Sequence, residues 1–252
     1  MKPRRFQPTR LVADERNIMK RKNTAIILAG GYGKRMGSSG AKQLLKIASK
    51  PIILHTIECF ERNPLITDIV VVSRKDCLKQ VKSLIARAAF KKIYKIIKGG
   101  RSRRESSFLG VQNVPENTRF VFIHDAVRPF LSGKLIKDVL VAAKTSGAAA
   151  PAIDVNDTLI ERKNAFIKNM PERTKFKRIQ TPQCFDYATI LRAHKLCARK
   201  KNKNFTDDAG LILSAGGAVK IVEGSPLNIK ITTPMDLVIA KLAARRKNTL
   251  EN

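Results

Sequence analysis

The sequence predicts an α/β protein in which a mostly parallel sheet is covered by helices on both faces. Two observations predict this class. Short apolar runs that suit buried strands alternate with segments whose apolar residues recur at helical spacing, and the first of these runs leads into a glycine-rich turn. The chain has 252 residues, of which 43% are hydrophobic, which is enough for one large core. We therefore expect a three-layer sandwich.

The first half of the chain predicts four strands and three helices in strict alternation. The strands are apolar runs rich in β-branched and aromatic residues, such as TAIILA and RFVFIH. Pro51 suits the first turn of the helix that follows it. Because helical crossovers join parallel strands, this alternation favours a Rossmann-like sheet. In chain order the elements are strand 24–29, helix 51–61, strand 68–73, helix 76–89, strand 93–97, helix 103–111 and strand 119–124.

The second half begins regularly and then changes its pattern. Helix 132–145 has Ser132 as its N-cap, and strand 148–153 follows it. Residues 154–180 contain DTLIERKNAFIKNM, which predicts two short polar strands around a turn and is too polar for the central sheet. We expect a protruding β-hairpin arm here, a feature that often clasps a second subunit. The remaining elements are helices 187–199 and 208–215, strand 218–222 and helix 235–244.

The charge of the chain points to anionic partners. Fifty Lys and Arg against twenty Asp and Glu give a net charge of +30, and such a field attracts nucleic acid, anionic lipid or phosphorylated small molecules. Residues 1–18 hold five basic and two acidic residues, so removing three charges leaves +27 on the remainder. We expect residues 1–22 to be a disordered basic extension, with Met19 as an alternative start, and 23–247 to form a single domain. No segment reaches the ~18 apolar residues of a membrane span.

The cysteines and histidines predict neither a zinc site nor a nucleophilic catalyst. The four cysteines form no CxxC pair, and the three histidines are scattered. His194 and Cys197 lie three residues apart, which fits one face of a helix. We therefore expect free thiols and a location in the reducing cytoplasm.

A glycine-rich turn, LAGGYGKRMG at residues 28–37, follows the first strand. Such a turn lets backbone N–H groups approach a phosphate or a base closely. It is neither a Walker A loop nor a GxGxxG motif. Lys34, Arg35 and Lys42 add cations within a short stretch, which suits a triphosphate. The alternative is that these are ordinary solvated surface side chains.

A second polar segment, FIHDAVRPF at residues 122–130, ends the fourth predicted strand. Asp125 and Arg128 would then face the crevice where parallel sheets bind ligands. The carboxylate could hold Mg²⁺ against phosphate oxygens, and the guanidinium could orient it. The alternative is an Asp125–Arg128 ion pair that only stiffens the turn.

Taken together, the ordered motifs resemble those of one enzyme family. LAGGYGKRMG, the Lys-Gln of AKQ, GGRSRRES, HDAVRPF, NDT, QTPQ, TDD and NIKITTP occur in that order over residues 24–245. This pattern is similar to the 2-C-methyl-D-erythritol 4-phosphate cytidylyltransferases of non-mevalonate isoprenoid synthesis, which implies a GT-A-like nucleotidyltransferase fold. Ribitol-5-phosphate cytidylyltransferases share four of these motifs. TDD, and a length without a fused reductase, favour the isoprenoid enzyme.

The resemblance implies a role for each matching residue. It implies that CTP is bound by Ala29, Gly30, Gly31, Gly33, Gly100, Ser106 and Asp125. It implies that Arg35, Lys42 and Lys230 are the catalytic cations, and that Asp125 also binds Mg²⁺. It implies that the polyol phosphate is bound by Arg128, Thr158, Arg173, Thr181 and Thr206. Thr158 and Arg173 would reach across from the arm of a partner subunit, so the resemblance also implies a homodimer.

The chemistry of such a transfer fits the residue types. The acceptor already carries its nucleophile, a phosphate oxygen, so positioning and cations are needed rather than a general base. Ala41 departs from the family pattern, where Pro is usual, and Arg101 stands where some members have an acid. Gly31 and Val127 are further departures, and both occur within the superfamily. None of the four removes a cation that would bind phosphate.

Two other functions fit parts of the sequence. Ribitol phosphate is also a five-carbon polyol phosphate, and Thr158, Arg173 and Thr181 would serve either acceptor. The charge of +30 fits an RNA-binding protein, but three Tyr and no Trp leave no aromatic platform on which bases could stack. We therefore expect no nucleic-acid partner and no membrane partner.

Overall fold

The computed structural model describes residues 21–31, 41–198 and 205–250, and it confirms the α/β class. The strands are β1 (Lys22–Ala29), β2 (Lys46–Ile47), β3 (Lys50–Pro51), β4 (Asp68–Ser73), β5 (Ile93–Lys98), β6 (Thr118–Asp125), β7 (Ala148–Asp154), β8 (Glu161–Lys163), β9 (Phe166–Asn169), β10 (Lys177–Ile179), β11 (Gln183–Asp186) and β12 (Lys220–Glu223). The helices are α1 (Ile52–Glu61), α2 (Leu78–Ala88), α3 (Arg103–Gln112), α4 (Gly133–Ser146), α5 (Tyr187–Ala198), α6 (Ala209–Ser214) and α7 (Pro234–Leu250).

The central sheet has eight strands in the order β10-β7-β11-β6-β1-β4-β5, and β12 pairs with β7 off this path. The four strands β6-β1-β4-β5 are all parallel, as predicted. Strand β11 runs antiparallel to both β6 and β7, while β12 is parallel to β7. Strands β4 and β5 lie on one side of β1, and the next strand, β6, lies on its other side. The boundary between β1 and β6 is therefore a topological switch point.

Alternate residues of β1 build the two hydrophobic cores that make the protein a three-layer sandwich. Ala25 and Ile27 pack with buried residues of α1, α2 and α4 on one face. Ile26 and Leu28 pack with α3, α5 and α6 on the other face. Residues 24–29 of β1 are all buried, and its apolar run from Ala25 to Ala29 is continuous rather than alternating, as expected for a parallel strand covered on both faces.

Helix α3 lies unusually close to the sheet, and this places its first turn beside the ends of the strands. A Cβ atom on Gly110 would stand 2.5 Å from Cγ2 of Ile26 and 3.2 Å from Cγ2 of Val72. The absence of a side chain therefore permits the close approach of α3 to β1 and β4.

The structure differs from the sequence prediction mainly after residue 154. The hairpin is present as β8 and β9, with Asn164 in the left-handed region at φ 56°. However, β10 joins the central sheet by pairing antiparallel with β7, although the polar pattern of its residues predicts no strand there. Strand β11 was not predicted, because its four residues are too few to show a period.

No helix within the described ranges is both long and apolar enough to cross a membrane.

Candidate active site

An open cleft lies where four parallel strands end together. The segments that follow β1, β4, β5 and β6 all contribute to it, and its volume is about 950 Å³. Ligands of open α/β sheets bind at this edge, beside the switch point. The fold therefore gathers the predicted site segments at the place where a nucleotide is expected.

The glycine-rich turn forms one wall of the cleft. Ala29, Gly30 and Gly31 line it, and the backbone carbonyl of Ala29 accepts a hydrogen bond of 2.9 Å from Nε2 of buried Gln43. This bond fixes the start of the turn, a role that the sequence did not predict for Gln43. Gly33 and Arg35 lie outside the described residues.

Lys42 lines the cleft beside the glycine-rich turn. It opens a short 3-10 helix, Lys42–Leu44, and only 9% of the residue is exposed. A Cβ atom on Gly31 would stand 3.5 Å from Cε of Lys42, so the lysine stem runs directly beside the turn. The alternative of a freely solvated lysine does not fit this burial.

The wall next to the glycine-rich turn is the loop between β5 and α3 with the first turn of α3, since a Cβ atom on Gly30 would stand 3.5 Å from Oγ of Ser106. Gly100 and Ser106 line the cleft, and the N–H of Gly100 donates to Oγ of Ser106 at 3.1 Å. The hydroxyl of Ser102 accepts from the N–H of Glu105 at 3.1 Å and thereby caps α3. The loop is thus held by its own helix, and Ser106 is fixed in the wall with 4% exposure.

Asp125 lies at the floor of the cleft among three cations. Its Oδ2 atom is 2.8 Å from Nζ of Lys230 and 3.7 Å from Nε of Arg128, and its Oδ1 atom is 3.8 Å from Nε of Arg103. Burial alone would raise the pKa of this carboxyl, but Lys230, Arg103 and Arg128 outweigh burial and hold its pKa well below the ordinary value. Asp125 is therefore ionised in the folded protein.

Arg128 supports the cleft from behind. Its side chain is buried, does not line the cleft, and donates from Nη1 to the carbonyl oxygen of Asn228 at 2.7 Å. The N–H of Ile231 donates to the carbonyl of Val127 at 2.9 Å. The segment that contains Arg128 therefore fixes the segment that contains Lys230. Arg128 thus does more than form the local ion pair with Asp125.

Thr181 is also buried behind the cleft. Its hydroxyl oxygen accepts from the N–H of Asp125 at 3.2 Å and lies 3.0 Å from Nδ1 of His124. The other ring nitrogen of His124 lies 3.1 Å from the carbonyl oxygen of Arg128. Thr181 thus contacts the strand end that presents Asp125.

Two histidines make the folded protein sensitive to acid. Burial lowers the pKa of His124 and of His194 from 6.5 to about 4. Between pH 6.5 and pH 4 these histidines are protonated in the unfolded chain but neutral in the folded chain. The free energy of unfolding therefore falls as pH falls from 6.5 to 4. A shift of this size corresponds to about 3 kcal/mol for each histidine.

We expect the free energy of unfolding to drop by about 4 kcal/mol between pH 7.5 and pH 5. Urea unfolding at both pH values, in salt that screens the net charge, measures the drop. His194→Gln should remove about half of this pH dependence. An unfolding midpoint that does not change with pH over this interval would contradict the assignment.

The arm residues lie away from the cleft of their own chain. Thr158 and Arg173 are exposed, and Nη1 of Arg173 donates to the carbonyl oxygen of Asn156 at 2.7 Å. Thr206, just before α6, is also exposed. The structure therefore gathers those predicted nucleotide residues that it describes and leaves these three acceptor residues outside the cleft.

Sequence reasoning missed a buried ion pair beside the cleft. Nη1 of Arg103 lies 2.7 Å from Oδ2 of Asp208, whose side chain is fully buried. Both residues stand inside motifs, GGRSRRES and TDD, and that was the available signal. Their pairing could not be read from the sequence, because 105 positions separate them.

The cleft is strongly positive. Among the described residues that line it, seven are cationic and three are acidic. The cations are Lys42, Arg74, Lys75, Lys98, Arg101, Arg103 and Lys230. This lining suits a ligand with several negative charges, such as a nucleoside triphosphate.

Within the described ranges, no three His, Cys, Asp or Glu side chains cluster as ligands for a metal ion. A divalent cation at Asp125 would therefore need most of its oxygen ligands from a bound phosphate and from water, as Mg²⁺ usually does.

Known proteins resemble this chain over most of its length. The family model described as IspD, 2-C-methyl-D-erythritol 4-phosphate cytidylyltransferase, matches residues 23–246. A protein of that name from Clostridium botulinum strain Langeland is 39% identical over 221 residues, which cover 87% of this chain and 96% of the relative. Another from Desulforamulus reducens is 40% identical over 226 residues, covering 89% and 96%.

A solved structure shares the fold. It is 4-diphosphocytidyl-2C-methyl-D-erythritol synthase from Anaerococcus prevotii, which superposes with a TM-score of 0.78 at 28% identity. The superposition covers 89% of this chain and 96% of that one. The similarity therefore extends from the sequence to the arrangement of the strands and helices.

Proposed function

The chain belongs to the IspD family, the 2-C-methyl-D-erythritol 4-phosphate cytidylyltransferases, and we propose how its cleft carries out that family's reaction. The enzyme transfers the cytidylyl group of CTP to 2-C-methyl-D-erythritol 4-phosphate, giving 4-diphosphocytidyl-2-C-methyl-D-erythritol and pyrophosphate. The observation that carries this function is the meeting of Gly30, Ser106, Asp125 and Lys230 in one cleft, because these residues come from four separate motifs.

CTP enters with its base toward the loop between β5 and α3. Gly100 and Ser106 present a backbone N–H and a hydroxyl that are already joined by a hydrogen bond of 3.1 Å. The turn at Ala29, Gly30 and Gly31 lies beside Ser106, and its glycines let the ribose and the α-phosphate approach the backbone closely. In this proposal the ribose lies next to Asp125, which also lines the cleft.

The cations Lys42 and Lys230, together with Arg35, bind the triphosphate. The phosphate oxygen of the acceptor attacks the α-phosphorus, the bond from that phosphorus to the bridging oxygen breaks, and pyrophosphate leaves with the electron pair. Negative charge accumulates on the α-phosphoryl oxygens, and fixed cations stabilise it without reorganisation. No group has to remove a proton, because the attacking oxygen is already ionised.

Mg²⁺ is the divalent cation that we propose for this reaction. The ionised carboxylate of Asp125 is a hard oxygen ligand at the floor of the cleft, and a single protein carboxylate suits an ion held mainly by phosphates and water. When bound, such an ion neutralises part of the charge on the triphosphate.

The acceptor is held partly by a second subunit. We propose that residues 23–247 form one catalytic domain, that its arm at 154–180 clasps a partner, and that Thr158 and Arg173 bind the acceptor phosphate in the partner's cleft. Two facts support this. Both residues are exposed in the single chain, and the arm exposes Phe166 by 78% and Ile167 by 62% to solvent, a large apolar surface for a monomer.

In this proposal Thr206 belongs to the acceptor site on the same subunit as the cleft, while Thr181 and Arg128 support that site from behind. Cys59, Cys77, Cys184 and Cys197 are all free thiols, which supports a reducing compartment such as the cytoplasm.

The direct test is pyrophosphate release with CTP and two acceptors, 2-C-methyl-D-erythritol 4-phosphate and ribitol 5-phosphate. We expect a kcat/KM at least about tenfold higher for the former, since one methyl group in a fitted site contributes 1–3 kcal/mol. Omitting the divalent cation should abolish release with either acceptor. A preference for ribitol phosphate would retain the mechanism and overturn the assigned substrate.

A further inference from the structure

We propose that Arg103 is a positioning residue for this reaction, which holds the carboxylate of Asp125 in place by bridging it to the buried carboxylate of Asp208. The inference rests on the proposed function, because it assigns Asp125 to the nucleotide site. It concerns two residues that the motifs contain but to which neither the motif pattern nor the family resemblance assigned a role.

The guanidinium of Arg103 joins two carboxylates that come from different elements. Nη1 contacts Oδ2 of Asp208 at 2.7 Å, and Nε faces Oδ1 of Asp125 at 3.8 Å. The arginine is the first residue of α3, so its backbone is fixed by the helix that also bears Ser106. One side chain therefore connects the wall of the cleft, its floor and the segment that begins α6.

Asp208 is a rigid anchor for this bridge. Its side chain has no exposure, and its Oδ1 atom accepts a hydrogen bond from the hydroxyl of Ser107 on α3 and lies 3.9 Å from Nε2 of His194 on α5. The next residue, Ala209, donates its N–H to Oε1 of Gln183 at 2.9 Å. Three elements thus fix the position of the anchor.

Ser107, His194 and Asp208 resemble the residue types of a nucleophilic triad, but their arrangement is structural. The serine is fully buried, and its hydroxyl donates to the aspartate, while Nε2 of the histidine lies 3.4 Å from the same oxygen. Burial also lowers the pKa of His194, so the ring is neutral. The group therefore holds Asp208 and does not react.

The charge of Arg103 favours the observed orientation of the Asp125 carboxylate. Oδ1 faces Arg103 at 3.8 Å, within ion-pair range, and Oδ2 lies 2.8 Å from Nζ of Lys230 and 3.7 Å from Nε of Arg128. Loss of the bridge would let the carboxylate turn and carry Lys230 with it. A misplacement of about 1 Å in a positioned group can lower turnover about 10²-fold.

Arginine is required because its donors form a fork. Nε and Nη1 point to separate carboxylates, whereas the single ammonium of a lysine would reach only one of them. Arg103→Lys retains the charge but would reach only one carboxylate, so its kcat should be lowered as in Arg103→Met. Arg104→Met is the matched control, since that neighbour does not line the cleft.

The decisive variant is the double change Arg103→Met with Asp208→Asn. Arg103→Met alone leaves a buried, unpaired carboxylate and should unfold at lower temperature. The double variant removes that charge, and its amide oxygen can still accept from Ser107, so its thermal midpoint should recover. If Arg103 positions Asp125, kcat stays lowered about 10²-fold in the double variant while KM for CTP changes little.

Two results would overturn the inference. Recovery of kcat together with the thermal midpoint would show that Arg103 only stabilises the fold. A raised KM for CTP with unchanged kcat would show that it binds the nucleotide directly. Failure of the parent enzyme to release pyrophosphate would instead contradict the proposed function, so the two failures are distinguishable.

Discussion

Replacing Lys42 or Lys230 by alanine is expected to lower kcat by about 10²–10³-fold, by analogy with the loss of one oxyanion donor. Each ammonium lies at the cleft and would face charge that grows on the α-phosphoryl group as pyrophosphate leaves. Since only the transition state carries that extra charge, KM for CTP should change much less than kcat.

Steady-state kinetics and thermal unfolding of the two variants measure this effect. Lys46→Ala, on an exposed residue that does not line the cleft, is the matched control. Removing Lys230 deprives Asp125 of its nearest cation, so Lys230→Met, an uncharged and unbranched side chain of similar length, is a useful second variant. Near-normal kcat in a folded Lys42 variant would exclude the role assigned to that lysine.

Replacing Arg173 by alanine is expected to raise KM for the acceptor at least about tenfold, because charge-assisted bonds to a phosphate contribute 1.5–3 kcal/mol. KM for CTP should remain nearly unchanged, since Arg173 lies on the arm and not in the nucleotide cleft. An effect on CTP alone would contradict the assignment of the arm to the acceptor.

Mixing two inactive variants tests whether the arm acts in the partner's cleft. In a mixed dimer of Lys42→Ala and Arg173→Ala chains, one cleft would combine an intact Lys42 with an intact arm. Random exchange of subunits should therefore restore about a quarter of the sites. Arg173→Lys is the control for charge. No restoration after verified exchange would show that Arg173 serves its own chain or only stabilises the fold.

The positions of the strands and helices followed largely from the sequence up to residue 153. The pattern is strong there, because β1, β4 and β6 each contain a continuous apolar run and the helices between them have one apolar face. After residue 153 the signal weakens. Strand β10 is polar and exposed at the edge of the sheet, and β11 is only four residues long, so neither shows a period that identifies it.

The candidate site was predictable in its parts but not in its connections. The Gly-rich turn, Asp125 and Lys230 were recognisable from motifs, since the first two follow predicted strands and Lys230 stands in NIKITTP. The contact between Asp125 and Lys230 joins residues far apart in the chain, and so does the bridge through Arg103. Such contacts depend on the order of the strands, which a periodic pattern does not specify.

The net charge of +30 has a partial explanation in the cleft. Seven cations of the described ranges line it, where they favour capture of CTP and of a phosphorylated polyol. This steering raises the association rate and weakens with salt. It requires no nucleic-acid partner, which the scarcity of Tyr and absence of Trp in the sequence also argue against.

The central claim is tested most directly by following the phosphorus atoms of CTP. With 2-C-methyl-D-erythritol 4-phosphate and Mg²⁺, label in the α-phosphate should appear in a cytidine diphosphate ester of the acceptor. Label in the γ-phosphate should appear only in pyrophosphate. Recovery of the α-label as CMP would contradict the transfer that this cleft is proposed to perform. Recovery of the α-label as unchanged CTP, in equal amounts with the parent enzyme and with Lys42→Ala, would contradict it as well.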